Sequence, residues 1–360
     1  MSKEDLAEII SCHPRQRLSH LPTPLEEMPN LSRELKGVRL LIKRDDQTGI
    51  ALGGNKARKL DFIVGDALRR KSDSIITWGG VQSNWCRQLA AAARRVGLDP
   101  VLILFRRAGL PADYDGNLLL DSILDANIQV IDWAPGTSFM ELKMVAHLLN
   151  DAADKERAAG RCPYIAPIGG TFAEGSMLEP LGAISYAEAL IEVLDQASAR
   201  GFDINHIVVP SGSGSTQAGL LVAAKAVCPE VKVIGISVCE EIETLTRFVR
   251  RVARETADAL GLQFEILPED VVVHGEFLGG GYGILDERSA AAMKRVGKTE
   301  GIILDPVYTS KAMGGLLELC QRGYFSPGSN VVFLHTGGVP AIFPYRQQIG
   351  ELLAAPAALA

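Results

Sequence analysis

The chain has 360 residues, 47% of them hydrophobic and 22% charged, with a formal net charge of −6. That length holds one large or two medium domains with real cores, and the acidic balance argues against nucleic-acid or anionic-membrane partners. No run of eighteen apolar residues occurs and residues 1–17 carry no apolar signal region, so a cytoplasmic protein without a membrane span is expected.

Six cysteines and six histidines are scattered with no C-x-x-C, H-x-H or H-x-x-x-H spacing. Reduced thiols are expected, and neither a disulfide framework nor a metal site. Pro22, Pro24 and Pro29 keep residues 1–38 from a long helix, and an irregular segment is expected there. Val38–Ile42 then reads as a strand closed by the charged run 43–46.

The next helix is announced by Gly53-Gly54 and by Asn55 as its N-cap, with apolar residues at Leu60, Ile63, Val64, Ala67 and Leu68 marking one face. Its first turn carries Lys56, Arg58 and Lys59. Cations there oppose the helix dipole by roughly a few tenths of a kcal/mol each. A bound anion explains the arrangement, and crowding helps one lysine lose its proton and become a nucleophile toward carbonyls. A solvated basic turn is the alternative.

Short apolar runs then alternate with helical stretches. Strands are expected at Ser74–Trp78, Pro100–Phe105, Ile128–Trp133, Tyr164–Ile168, His206–Val209, Val231–Val238 and Asn330–His335. Helices are expected through Leu89 to Val96 and at Asn117–Asp125, Met140–Arg157, Gly182–Ala199, Gln217–Val227, Glu240–Leu260, Arg288–Glu300 and Lys311–Arg322. Fully apolar strands between helices mean mostly parallel sheets covered on both faces. The units are too many for one compact sheet, so two α/β domains are expected, crossing near Ile168-Gly169-Gly170-Thr171.

Two loops after strands carry chemistry. Gly79-Gly80-Val81-Gln82-Ser83-Asn84 offers polar side chains beside free helix N–H groups, which suits a small carboxylate or simply caps a turn. Ser211-Gly212-Ser213-Gly214-Ser215-Thr216 offers successive glycine and serine N–H groups at a helix start, a phosphate cup. No Gly-Lys-Ser/Thr closes it as a Walker loop, and Gln217 stands where the dinucleotide fingerprint has its third glycine. Glu240 and Glu241 after the next strand keep a nicotinamide oxidoreductase open as an alternative. Tyr308, in Asp305-Pro306-Val307-Tyr308, stands at a helix start. His335, before Thr336-Gly337-Gly338, reads as a hydrogen-bonded core histidine.

In this order the five motifs resemble the pyridoxal-phosphate enzymes of the ACC deaminase and D-cysteine desulfhydrase family, over about residues 41–345. The resemblance implies the tryptophan-synthase-β-like fold (fold type II): two open twisted, mostly parallel sheets with helices on both faces. It also implies a larger cofactor domain of residues 1–60 and 171–360, a smaller domain of 61–170, and a homodimer. Pyridoxal 5'-phosphate would be held by Lys56 as a Schiff base, with Asn55, Gly212, Ser213, Gly214, Ser215 and Thr216 around it and Thr336 at the pyridine nitrogen. Ser83, Tyr282 and Tyr308 would act beside Lys56 in catalysis. Gln82, Ser83, Asn84, Trp85 and Thr309 would meet a small amino-acid substrate. Thr309, where the deaminases have Glu, and His335-Thr336-Gly337-Gly338 resemble the D-cysteine desulfhydrase and L-cysteate sulfo-lyase branch. Elimination releasing pyruvate, ammonia and sulfide or sulfite is then implied, with ACC deamination and β-replacement synthesis as alternatives. Trp85, where that branch commonly has histidine, and the long 169–182 segment depart from the pattern where substrate would sit.

Overall fold

The computed structural model describes residues 1–35, 37–133 and 142–354. Two sheets organise it. The larger has six strands in the order β1 (Leu25–Glu27), β2 (Arg39–Lys43), β10 (Asn330–Leu334), β7 (His206–Ser211), β8 (Lys232–Ser237) and β9 (Val272–His274). Only the β1–β2 pair is antiparallel. The smaller is wholly parallel, in the order β5 (Asn127–Trp133), β4 (Asp99–Arg107), β3 (Ser74–Gly80) and β6 (Pro163–Ile165).

The strands are apolar because helices cover both faces. Val208, Ile234, Ile236, Val331 and Phe333 are buried under α11 (Thr309–Gln321) and α2 (Pro29–Glu34). Alternate residues of the same strands, Ile207, Val209, Val233 and Val332, face the core that α7 (Leu181–Ser198) and α8 (Ser215–Val227) help build. A separate core between the small sheet and α6 (Leu142–Ala158) is built on Trp78, Phe105 and Trp133. Trp133 meets Phe105 edge-on at 4.5 Å and stacks on Trp78 at 6.5 Å, geometries that aromatic quadrupoles favour.

The expected alternation is present, with differences at its edges. Residues 1–38 are not irregular throughout. They form α1 (Lys3–Ser11), β1 and α2, and α1 opens on a reciprocal cap between Ser2 and Asp5. Strand β9 and helix α12 (Arg346–Ala354) are further elements that the alternation did not announce. Helix α5 runs from Gly116 to Ile123 because Asp115 accepts from the Gly116 N–H. The expected start of α6 at residues 140–141 lies outside the described residues.

Helix α3 (Lys56–Arg69) runs unbroken across residue 60, and α4 (Asn84–Arg95) packs beside it. Asn55 does not cap α3: its backbone is already helical, and its amide donates to Thr216 Oγ1 at 3.2 Å. The first turn is not a solvated basic turn either. Arg58 is buried and donates to both oxygens of Asp45 at 2.9 Å and to Glu192 at 2.8 and 3.0 Å. Lys43 joins Glu192 at 2.5 Å, and the Tyr186 hydroxyl donates to Asp45 at 2.6 Å. Two acids and two bases therefore neutralise one another inside the protein.

Removing one member of such a network strands a charge in low dielectric. Arg58→Ala is expected to cost about 3–5 kcal/mol of stability. A urea midpoint within 1 kcal/mol of the parent protein would contradict it.

Candidate active site

The carboxyl ends of β3, β7, β8 and β10 converge on one recess of about 790 Å³, counted to its open mouth. Open α/β sheets bind ligands at such ends. The turn after each strand contributes wall: Ser83 and Asn84 after β3, Ser211 to Gly214 after β7, Cys239 after β8, and Thr336 after β10. Lys56 enters from the start of α3, and Tyr282 and Tyr308 close the far side.

Lys56 and Lys59 sit one turn apart in different surroundings. Lys59 is wholly buried and donates to Ser215 Oγ at 2.6 Å. Lys56 is partly accessible and lines the recess. Desolvation disfavours the charged amine and brings the Lys56 pKa down to about 8; burial and the charge of Lys56 hold Lys59 well below the ordinary range. The neutral amine of Lys56 is thus present in quantity near pH 8.

Gly214 shapes the expected phosphate cup. It sits at φ +89°, in the left-handed region, with a Cβ there only 3.1 Å from Val249. The N–H groups of Gly212, Ser213 and Gly214 donate to nothing among the described residues, nor do the first two of α8 have helical partners. The Ser211 hydroxyl is buried without a partner. A dianionic phosphate at this helix start satisfies that donor set, so the residues present fit the group. Ser215 is the exception. Its hydroxyl is engaged with Lys59 and Thr171 and does not line the recess, which leaves its N–H for the cup.

The loop after β3 divides. Ser83 Oγ caps α4 by accepting from Cys86 N at 3.2 Å, and the N–H groups of Asn84 and Trp85 remain without partners among the described residues. Asn84 Oδ1 accepts from Asn117 at 3.0 Å, and the Trp85 indole donates to Thr77 at 2.8 Å while its ring forms wall. Gln82 departs from expectation. Its amide donates to Asp115 O at 3.0 Å and accepts from Asn117 N at 2.9 Å, so it fastens α5 and does not line the recess.

Thr309 also stands elsewhere. Its hydroxyl donates to Asp305 at 2.6 Å and accepts from the Asp305 N–H at 2.7 Å, wholly buried. Asp305 takes the N–H groups of Val307, Tyr308 and Thr309 as well, and so fixes the turn that presents Tyr308. The Tyr308 and Tyr282 hydroxyls are 2.9 Å apart. Burial pushes Tyr282 up to about 12 and Tyr308 higher, so both stay protonated.

Thr336 lines the recess, and its carbonyl accepts from Asn55 N at 3.0 Å. His335 is a core histidine as expected, bonded to Ile303 O at 3.0 Å and to Gly337 N at 3.2 Å. Cys239 is a wall residue that sequence reasoning missed. Its signal was its place just past the carboxyl end of a parallel strand beside β7. No Asp or Glu lines the recess among the described residues, and Lys56 is the one cationic side chain in that wall.

A recess with an amine of lowered pKa and a cup of free N–H groups at a helix start fits pyridoxal phosphate, and the family model for pyridoxal-phosphate dependent enzymes matches residues 17–337. The chain belongs to that family. It is 37% identical to the D-cysteine desulfhydrase of Klebsiella pneumoniae (strain 342), over 93% of this chain and 97% of that one. It is equally identical to a provisionally named 1-aminocyclopropane-1-carboxylate deaminase of Pyrococcus abyssi, over 96% and 98%. The solved structure of an ACC deaminase homologue superposes with a TM-score of 0.85 at 34% identity, covering 97% and 99%. Threonine deaminase isoform 2 of Solanum lycopersicum, at 18% identity and TM-score 0.65, shares the fold. The protein is therefore a pyridoxal-phosphate-dependent lyase of fold type II.

The nicotinamide reading has no place in this family, and the structure supplies a physical reason. Gln217 is buried, donates to Val272 O at 2.7 Å and fills the space over Gly235. The third glycine of a dinucleotide cup is replaced by a packing side chain.

In cofactor-free protein, carbamylation by cyanate is expected to favour Lys56 over Lys59 and to rise with pH through about 8, the neutral amine being the nucleophile. Peptide mapping across a pH series checks it. A midpoint near the ordinary lysine value, or modification centred on Lys59, would contradict the burial account.

Proposed function

We propose that the enzyme catalyses α,β-elimination on a small β-substituted amino acid, as a D-cysteine desulfhydrase does, releasing pyruvate, ammonia and sulfide. The observation that carries the reading is a recess wall without a carboxylate among the described residues. The hydroxyl of Thr336, a neutral group in that wall, would then be the partner of the pyridine nitrogen. Bound pyridoxal phosphate supplies an electron sink for the pair left at the α-carbon, and a sink without a carboxylate partner is a weaker one. Departure of a good β leaving group relieves that demand at once, whereas opening an unactivated three-membered ring does not.

The chain's own groups have these roles. The cup at Gly212–Thr216 holds the phosphate, and Asn55, bonded to Thr216, ties the cup to the turn that carries Lys56. The unpartnered N–H groups of Asn84 and Trp85, beside Ser83, receive the substrate carboxylate. Lys56 anchors the cofactor covalently at rest. Its Nζ, neutral in good part near pH 8, takes the α-proton during turnover. The Tyr282–Tyr308 pair, protonated at neutral pH, gives a proton to the departing sulfur.

Thr309 supports this reading differently from the expectation. It is a strut of the Asp305 turn and does not line the recess. Deamination of 1-aminocyclopropane-1-carboxylate is the second reading, favoured by the Pyrococcus relative and the solved homologue.

Lys56→Ala is expected to lose the visible band of the covalently held cofactor and to lose turnover, while Lys59→Ala keeps the band. A visible band in Lys56→Ala that borohydride converts into a stable covalent adduct on another lysine would overturn the role of Lys56. In the unmodified enzyme, β-chloroalanine is expected to release pyruvate at least tenfold faster than 1-aminocyclopropane-1-carboxylate releases 2-oxobutyrate, about 1.4 kcal/mol in barrier. The opposite ratio would favour the deaminase.

A further inference from the structure

A second chamber of about 530 Å³, counted to its open mouth, adjoins the recess, and Gly80 and Tyr282 line both. A methyl group on Gly80 would stand 4.0 Å from the Tyr282 hydroxyl and 3.9 Å from Phe105 O, between the two spaces. The chamber wall is mainly apolar: Phe105, Leu110, Trp133 and Tyr345, with the ring of Tyr282. Phe105 and Trp133 are fixed edge-to-face, and the Tyr345 hydroxyl is turned away to Gly283 O at 2.7 Å. One charge belongs to the wall, the exposed Arg107. It makes no ion pair among the described residues, and Glu240 feels its charge without touching it. No acid lines this chamber among the described residues.

A substrate with a bare sulfhydryl on its β-carbon has no group to fill this chamber and would leave it to water, which an aromatic wall solvates poorly. A longer substituent fills it. We infer that the chamber receives the leaving group, and that the preferred substrates are S-substituted cysteines whose substituent has an apolar or aromatic stem and an anionic end beside Arg107. This rests on the elimination chemistry proposed above and specifies its substrate class.

The reaction balances without a further reactant. The Cβ–S bond breaks and the electron pair leaves on sulfur, which takes a proton. The α-proton is removed, and one water hydrolyses the remaining C–N bond. One S-substituted cysteine and one water thus yield one thiol, one pyruvate and one ammonium ion, with no change of redox state overall.

The test is pyruvate release by the holoenzyme from β-chloroalanine, cysteine, S-benzylcysteine and S-(4-carboxybenzyl)cysteine, each as D and L isomers. The carboxybenzyl compound is expected to exceed cysteine in kcat/KM by at least tenfold. Arg107→Gln is expected to lower its kcat/KM about tenfold and to leave β-chloroalanine and S-benzylcysteine within twofold. Leu110→Phe, which fills the chamber, is expected to depress both benzyl compounds and spare β-chloroalanine. Turnover of β-chloroalanine with none of the benzyl compounds would overturn this inference and leave the elimination reading standing. So would an equal loss on all substrates in Leu110→Phe, the signature of an access channel. No pyruvate from any compound, β-chloroalanine included, would overturn the elimination reading and this inference with it.

Discussion

The site depends on one buried ion network. Arg58, held by Asp45 and Glu192, pins the first turn of α3 against α7, and through it fixes where Lys56 emerges. Charges of this kind contribute little net stability, because desolvation offsets their attraction. They do specify position, since a register shift of α3 would leave Arg58 or the two acids unpaired. The network also assigns the three cations of that turn different fates. One is neutralised by carboxylates, one is buried against a serine, and one is left at the edge of a cavity with its proton loosely held.

A second constraint is close backbone approach. A Cβ on Gly337 would lie 2.7 Å from Gly54 Cα, and one on Gly338 would lie 2.6 Å from the Asp305 carboxylate. Two turns far apart in sequence therefore meet without side chains between them, and the Asn55 N–H reaches the Thr336 carbonyl. The Gly-Gly pairs are steric requirements of a site assembled from both ends of the chain.

Most of the fold and much of the recess were legible because they obey local rules. The α3 face follows from the spacing of Leu60, Ile63, Val64 and Ala67, and the strands from apolar runs ended by glycine. The Ser211–Thr216 cup could be read because its donors are consecutive residues. What escaped was decided by distant partners or by elements too short to show a period. Gln82 looked like a ligand residue until residues 115–117 took up its amide. Thr309 looked like a substrate contact, but Asp305 lies within one turn and claims its hydroxyl. Strands β1 and β9 have three residues each and no alternation to detect. Helix α1 carried a legible signal, the Ser2 and Asp5 cap, which the prolines downstream obscured.

The position of β10 has a consequence for how the enzyme comes into being. Among the described strands it is made last, and it lies between β2 and β7, strands synthesised some 290 and 120 residues earlier. Until residues 330–334 have left the ribosome, those two strands have no common partner, and Thr336 and the Gly337 contact do not exist. The growing polypeptide thus carries Lys56 long before the wall that encloses it is present. Completion of the recess is in this sense timed by the insertion of a single five-residue strand.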